Sequence, residues 1–273
     1  MAEGPELTRF FAILMLVNGL APIAAPVIGG QILRFAPWEG VFLFIAIVGL
    51  LLTVSAGLMR ETLPQRRRVS GGMAASLNGF TALFRQPYFM GHCIMQCFAF
   101  AAFFAYISGS SFVFQNVYSV SAQAFSLIFG INGVGLMING AVTGRLTGRI
   151  ADWKLLRFSL FLAAVGSVAL LAAFSTGMPL PVIMVLLFLT VSTLSMMSTS
   201  SFSMAMQDQG RSAGSASALI GFFSMISGAV MAPVVGIAGD HTAIPMGIVM
   251  VIGEIGALLT FYALIYPRHK DSL

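Results

Sequence analysis

The sequence predicts an all-α membrane protein, and three observations predict it. Hydrophobic residues make up 58% of the 273 positions and charged residues 8%, with a mean hydropathy of +0.94. That balance leaves too little polar surface to shield a water-soluble globule, so lipid is the expected solvent. The apolar residues fall into eight runs, each about the 20 residues a helix needs to cross the hydrocarbon core. Cutting the chain at these runs places thirteen of its fourteen Lys and Arg residues in gaps on one side, with only Arg34 opposite. Lys/Arg-rich loops stay in the cytoplasm, so both termini are expected there.

The runs are Phe10–Leu33, Val41–Met59, Tyr88–Phe114, Phe125–Leu146, Leu155–Phe174, Val182–Met204, Ser212–Ile237 and Pro245–Tyr266. In lipid each backbone amide must be satisfied within its own segment, which makes each run a helix rather than a strand. One gap differs from the rest. Residues 61–87 are long, polar and basic, with Pro64, the run Arg66-Arg67-Arg68 and Gly71-Gly72, and are expected to link two bundles of unequal size, 1–60 and 88–273. Met1 to Arg9 is polar and acidic and the first run is too long for a signal-peptide core, so no cleavable leader is expected.

Several function classes fall away. The formal charge of +5 resides in short loops between spans, not on one contiguous face, so it expresses topology and not nucleic-acid binding. Cys93 and Cys97 share a helix face beside His92, with too few neighbouring ligands for zinc and no expected disulfide. No phosphate-binding loop is present. No cofactor is expected. A membrane-embedded serine hydrolase would need Ser110 or a serine of the Thr190–Ser203 cluster as nucleophile and His92 or His241 as base, but both histidines fall near span ends and no serine has a glycine-flanked turn.

The first run contains Ala21-Pro22-Ile23-Ala24-Ala25-Pro26-Val27-Ile28-Gly29-Gly30. Pro26 removes an amide donor, and Ala21, Ala25 and Gly29 form a small-residue stripe where another helix can approach closely. The seventh run echoes it in Gly228 and in Ala232-Pro233-Val234-Val235-Gly236. The offset is six helices, as two duplicated six-helix halves would give. Here the sequence resembles the major facilitator superfamily, whose antiporters carry Gly-Pro-x-x-Gly-Gly in the fifth helix; Ala25 stands where that pattern has its first Gly. Phe104 through Gln115 with Val117-Tyr118, and Phe125 through Asn132, resemble the seventh and eighth helices of the bicyclomycin and chloramphenicol resistance (Bcr/CflA) branch, with Ser111 where that branch usually has proline.

The resemblance implies a major facilitator-type bundle whose eight helices are equivalent to helices 5 to 12 of twelve, an amino-terminally truncated drug:proton antiporter of the bacterial cytoplasmic membrane. It implies as partners the lipid bilayer, protons and a small hydrophobic or amphipathic drug-like substrate, with export driven by inward proton flow. A truncated, non-transporting fragment is the alternative. Gly144-Arg145-Leu146-Thr147-Gly148-Arg149 resembles the superfamily's Gly-Asp-Arg-Gly-Arg loop, and with Asp152 suggests a cytoplasmic charge latch of Arg145, Arg149 and Asp152.

Glu254 is the only acid deep inside a run. Placing a carboxylate there costs about 2.5–3.5 kcal/mol on insertion scales, so it is expected to be neutral, paired or facing water, and it is the candidate proton carrier. Gln96, Phe103, Tyr106, Asn132, Met137 and Asn139 are the candidate cavity lining, since aromatic, amide and Met surfaces repack around varied apolar solutes. The default role of such polar groups, and of the Thr190–Ser203 hydroxyls, is helix-to-helix bonding. Gly214, Gly221 and Gly228 recur every seven residues and predict a packing seam.

Overall fold

The computed structural model describes residue 25 and residues 28–59, 80–209, 212–236 and 242–272, with backbone alone at 232 and 270–272. All of its regular elements are helical: α1 (28–35), α2 (Glu39–Leu58), α3 (80–84), α4 (Pro87–Phe112), α5 (Ala122–Leu146), α6 (Asp152–Ser175), α7 (Leu180–Met206), α8 (Ala213–Gly236) and α9 (Ile244–Thr260). Seven helices among the described residues are long and apolar enough to cross a membrane. Of the first predicted run, only residue 25 and the part from 28 onward are described, so Ala21 and Pro26 lie outside the described residues.

Local chemistry sets the helix ends. Pro87 and Pro245 occupy first-turn positions, where a missing N–H breaks no helical bond. Ser121 caps α5, its hydroxyl accepting from the Ala124 N–H at 3.2 Å. Asp152 opens α6 with a negative charge at the positive end of the helix dipole. Both α4 and α9 continue through a π-helical turn, Val113–Val117 and Phe261–Ile265.

Helix α4 packs on α8 and α9, and α7 packs on α5 and α6; α6 meets α9 and α4 meets α7. Exchanging α4 with α7, α5 with α8 and α6 with α9 maps this set of packed pairs onto itself. The six helices are thus arranged as two equivalent triplets. Three apolar clusters, around Tyr106 and Leu187, around Leu156 and Met197, and around Phe89 and Leu219, fill the spaces between them. The outer faces stay apolar at helical spacing, as in Leu127, Ile131, Val134 and Ile138 of α5 and Phe158, Phe161, Val165 and Val168 of α6, which is the surface lipid requires. Helix α2 buries none of its residues.

Close approach rests on small side chains. A Cβ on Gly135 would meet Ser192, and one on Gly166 would meet Thr190. The Ser/Thr cluster of α7 divides between two roles: Thr190, Ser192 and Thr193 donate back to carbonyls of their own helix, while Ser198, Ser201 and Ser203 reach other helices. Among the described residues, Gly228 of the seven-residue glycine series meets the Phe104 ring, while Gly214 and Gly221 have no neighbour within 4 Å.

Gly253 gives the sharpest steric test. Its added Cβ would stand 2.7 Å from the Phe98 carbonyl oxygen and 3.0 Å from the Ala102 nitrogen, and backbone atoms do not step aside. Gly253→Val is expected to destabilise the bundle by about 1–3 kcal/mol in detergent unfolding. Gly214→Ala on α8, with no neighbour within 4 Å among the described residues, is expected to be neutral or stabilising by about 0.5–1 kcal/mol.

Candidate functional site

A cavity of about 270 Å³ opens between α4 and α5. Helix α4 contributes Phe103, Tyr106 and Ile107, and α5 contributes Phe129, Asn132, Gly133 and Leu136, with Val191 of α7 and Ala25 completing it. Each set follows the i, i+3, i+4 steps of one helix face. The Tyr106 and Phe129 rings stack with centroids 5.5 Å apart and planes within 10°, and Phe103 lies 6.1 Å from Tyr106. Asn132, 2% exposed, donates from Nδ2 to the Tyr106 hydroxyl at 2.9 Å. The dyad leaves the tyrosine O–H free to donate and the Asn132 carbonyl free to accept. Among the described residues no charged side chain lines this space, so it suits an uncharged aromatic solute with a hydrogen-bonding group.

Phe103, Tyr106 and Asn132 of the expected lining are therefore in place, together with Ala25 of the small-residue motif. Gln96, Met137 and Asn139 lie off the cavity. Gln96 is two turns along α4 from Phe103 and accepts from Ser198 at 3.4 Å. Met137 is rotated one residue from Leu136, and Asn139 continues the face past the cavity, its Oδ1 buried without a partner. Phe129, Gly133 and Leu136 are not among the expected lining, although the helical spacing from Asn132 points to them.

Glu254 sits on the buried stripe of α9 that runs through Met246, Met250, Gly253 and Ala257. It is 4% exposed, and its Oε2 has no hydrogen-bond partner. A void of about 10 Å³ adjoins it, walled by Ala102, Phe103, Thr190, Val191, Leu194 and Met250. None of these carries charge. Among the described residues Glu254 has neither an ion-pair partner nor appreciable exposure, and the uncharged acid is the form such a pocket accommodates.

At the basic end of the bundle lie the three residues of the expected charge latch. Asp152 accepts from Ser203 Oγ at 2.8 Å, while Arg145 and Arg149 are exposed; between them Gly148 takes φ +84°, a left-handed turn that favours glycine. The ion pair formed among the described residues at this end is Arg268–Asp208, 2.7 Å. Arg268 also lies 4.5 Å over the Tyr88 ring, and the Tyr88 hydroxyl meets His269 Nε2 at 3.1 Å. These contacts tie the carboxy-terminal turn to α4 and α7. His92 Nδ1 and Ser201 Oγ are 2.9 Å apart, but both side chains are at most 1% exposed, which leaves no path for a hydrolase substrate. Ser110 turns back toward the Ile107 carbonyl at 3.5 Å, and His241 lies outside the described residues. At the other end, Tyr118 donates to the Met178 carbonyl at 3.2 Å, and burial pushes its phenol above the ordinary range.

Residues 1–233 match the Major Facilitator Superfamily. The chain belongs to the major facilitator superfamily. It is 37% identical over 268 residues to the uncharacterized MFS-type transporter YdgK of Bacillus subtilis (strain 168), covering 97% of this chain and 66% of that protein. It is 27% identical over 265 residues to a bicyclomycin resistance protein homolog of Haemophilus influenzae, covering 95% of this chain and 65% of that protein. The chain thus spans a little under two thirds of the length of the curated relatives it matches. Membership in this superfamily places it with multi-pass membrane transporters and not with enzymes. Of the repeat motif, Pro233 lies within α8 and is exposed, Gly236 ends that helix, and Gly228 packs against Phe104; Gly29 and Gly30 of α1 have no neighbour within 4 Å among the described residues.

Proposed function

We propose that the chain acts in proton-coupled export of small drug-like solutes, in the manner of the Bcr/CflA branch, from the bacterial cytoplasmic membrane with both termini in the cytoplasm. The observation that carries the reading is the uncharged aromatic and amide cavity between α4 and α5, with a buried carboxyl one wall away. The stacked Tyr106 and Phe129 rings offer a flat apolar face, and the Asn132–Tyr106 dyad offers one donor and one acceptor, which together select neutral amphipathic compounds. Glu254 is the group available to load and release a proton in the spans described. The likeness to a bicyclomycin resistance protein homolog supports a drug substrate. On the same reading the helices are the fifth to twelfth of twelve, residues 61–87 link the two bundles, and the small-residue stripe of Ala21, Ala25 and Gly29 is where another helix approaches closely.

The second reading, a fragment that does not transport on its own, draws on the chain's coverage of 66% and 65% of its relatives. One experiment separates the two. Expressed in a bacterium stripped of its own multidrug exporters, the chain is expected to raise the inhibitory concentration of bicyclomycin at least fourfold, and to lose that effect when the proton gradient is collapsed. An unchanged inhibitory concentration with the protein at normal levels in the membrane overturns export and favours the fragment.

A further inference from the structure

Phe103 and Val191 line both the 270 Å³ cavity and the void of about 10 Å³ beside Glu254. The two spaces therefore share a wall made of one aromatic ring and one isopropyl group. Behind it stands a 4%-exposed acid whose Oε2 has nothing to bond. An unmet carboxyl oxygen behind that wall offers an amine an acidic partner that the cavity's own acceptor, the Asn132 carbonyl, does not supply. The void has room for about one water, so a larger group can enter only if the wall moves.

The ring is built to move. Phe103 is half-buried where two apolar clusters meet, and its ring neighbours are Phe100 at 6.2 Å, Phe104 at 6.2 Å and Tyr106 at 6.1 Å, all at tilted or edge angles. Aromatic neighbours accept a turned ring with little loss, and two side-chain torsions carry the whole motion.

We propose that Glu254 is a concealed polar subsite of the cavity, opened when the Phe103 ring swings aside, and that it takes the amino group of a solute whose aromatic part lies on Tyr106 and Phe129. The proposal rests on the cavity being the solute site. It assigns Phe103 as the door that keeps the acid out of contact with the cavity until a solute arrives.

The test measures access to the carboxyl and needs no transport. The full chain in lipid nanodiscs is treated with dicyclohexylcarbodiimide, which adds to protonated acids, and adduct on Glu254 is followed by peptide mass spectrometry. Phe103→Ala is expected to label at least fivefold faster than the native chain and Val191→Ala at least twofold faster, whereas Phe158→Ala on the lipid face, 60% exposed by side-chain position in the native chain, labels at the native rate. Phenethylamine is expected to slow labelling of the Phe103→Ala chain at least threefold under conditions where ethylbenzene does not. Val191→Ala carries the test should Phe103→Ala aggregate. Native-rate labelling in the folded wall variants overturns the door, and equal protection by the amine and the hydrocarbon overturns the subsite. Failure of the export reading shows as an unchanged inhibitory concentration of bicyclomycin and leaves these labelling rates untouched.

Discussion

Replacing Glu254 by methionine is expected to make the bundle more stable, by about 1–3 kcal/mol, while removing any proton movement that the chain supports. The two effects have one origin. The carboxyl is 4% exposed, and its Oε2 has no partner, so folding strips it of water without giving back a hydrogen bond. A buried polar group left unsatisfied costs about 1–3 kcal/mol. Methionine has similar length, no polar atom, and the flexibility to fill the small void against Leu194 and Met250. A residue that holds helices together predicts the opposite sign, since its removal would leave partners unpaired.

The measurement is resistance to unfolding in mixed micelles, paired with proton release from vesicles on addition of solute. A loss of stability in Glu254→Met would show that the carboxyl bonds a neighbouring helix. Gain of stability with proton release retained would move proton coupling elsewhere in the chain. Stability given up at a functional position is the expected pattern for a group kept for its chemistry.

Hydropathy and its flanks carried much of the fold. The predicted run Val41–Met59 meets α2 at Glu39–Leu58, and Val182–Met204 meets α7 at Leu180–Met206, because the burial of an apolar run in lipid is a property of the run alone. Polar first turns were harder to see. Helix α6 begins at Asp152, three residues before the predicted Leu155, since an acid at a helix start is favourable although it is not apolar. What sequence could not give was partnership between helices. Arg145, Arg149 and Asp152 are near in the chain, but Asp152 bonds Ser203 from α7, and Asp208 pairs with Arg268 sixty residues later. The candidate cavity divides along the same line: Tyr106 and Asn132 stood out by chemistry, whereas Phe129 and Leu136 belong to it only through the way α5 is turned toward α4.

Tyr106→Ala is expected to be the most damaging single change in the bundle, about 3–5 kcal/mol. It removes a ring that is 2% exposed and stacked on Phe129, and also the acceptor for Asn132. Tyr106→Phe separates the two losses. It keeps the ring and strands the Asn132 amide, itself 2% exposed, at an expected cost of about 1–3 kcal/mol. Adding Asn132→Leu to Tyr106→Phe removes the stranded donor as well, and the double variant is expected to recover most of that cost, because apolar replacement of both partners is nearly neutral where the single deletion is not. Unfolding measurements on the two single variants and the double close the cycle; simple addition of the single costs would show that the amide finds another partner when the hydroxyl is gone. The recovered double variant is then the informative one for function. With the fold restored and the donor and acceptor both absent, it is expected to keep apolar solutes in the cavity and to lose those that need a hydrogen bond, so that any remaining bicyclomycin resistance would show the dyad to be structural and the stacked rings alone to hold the solute.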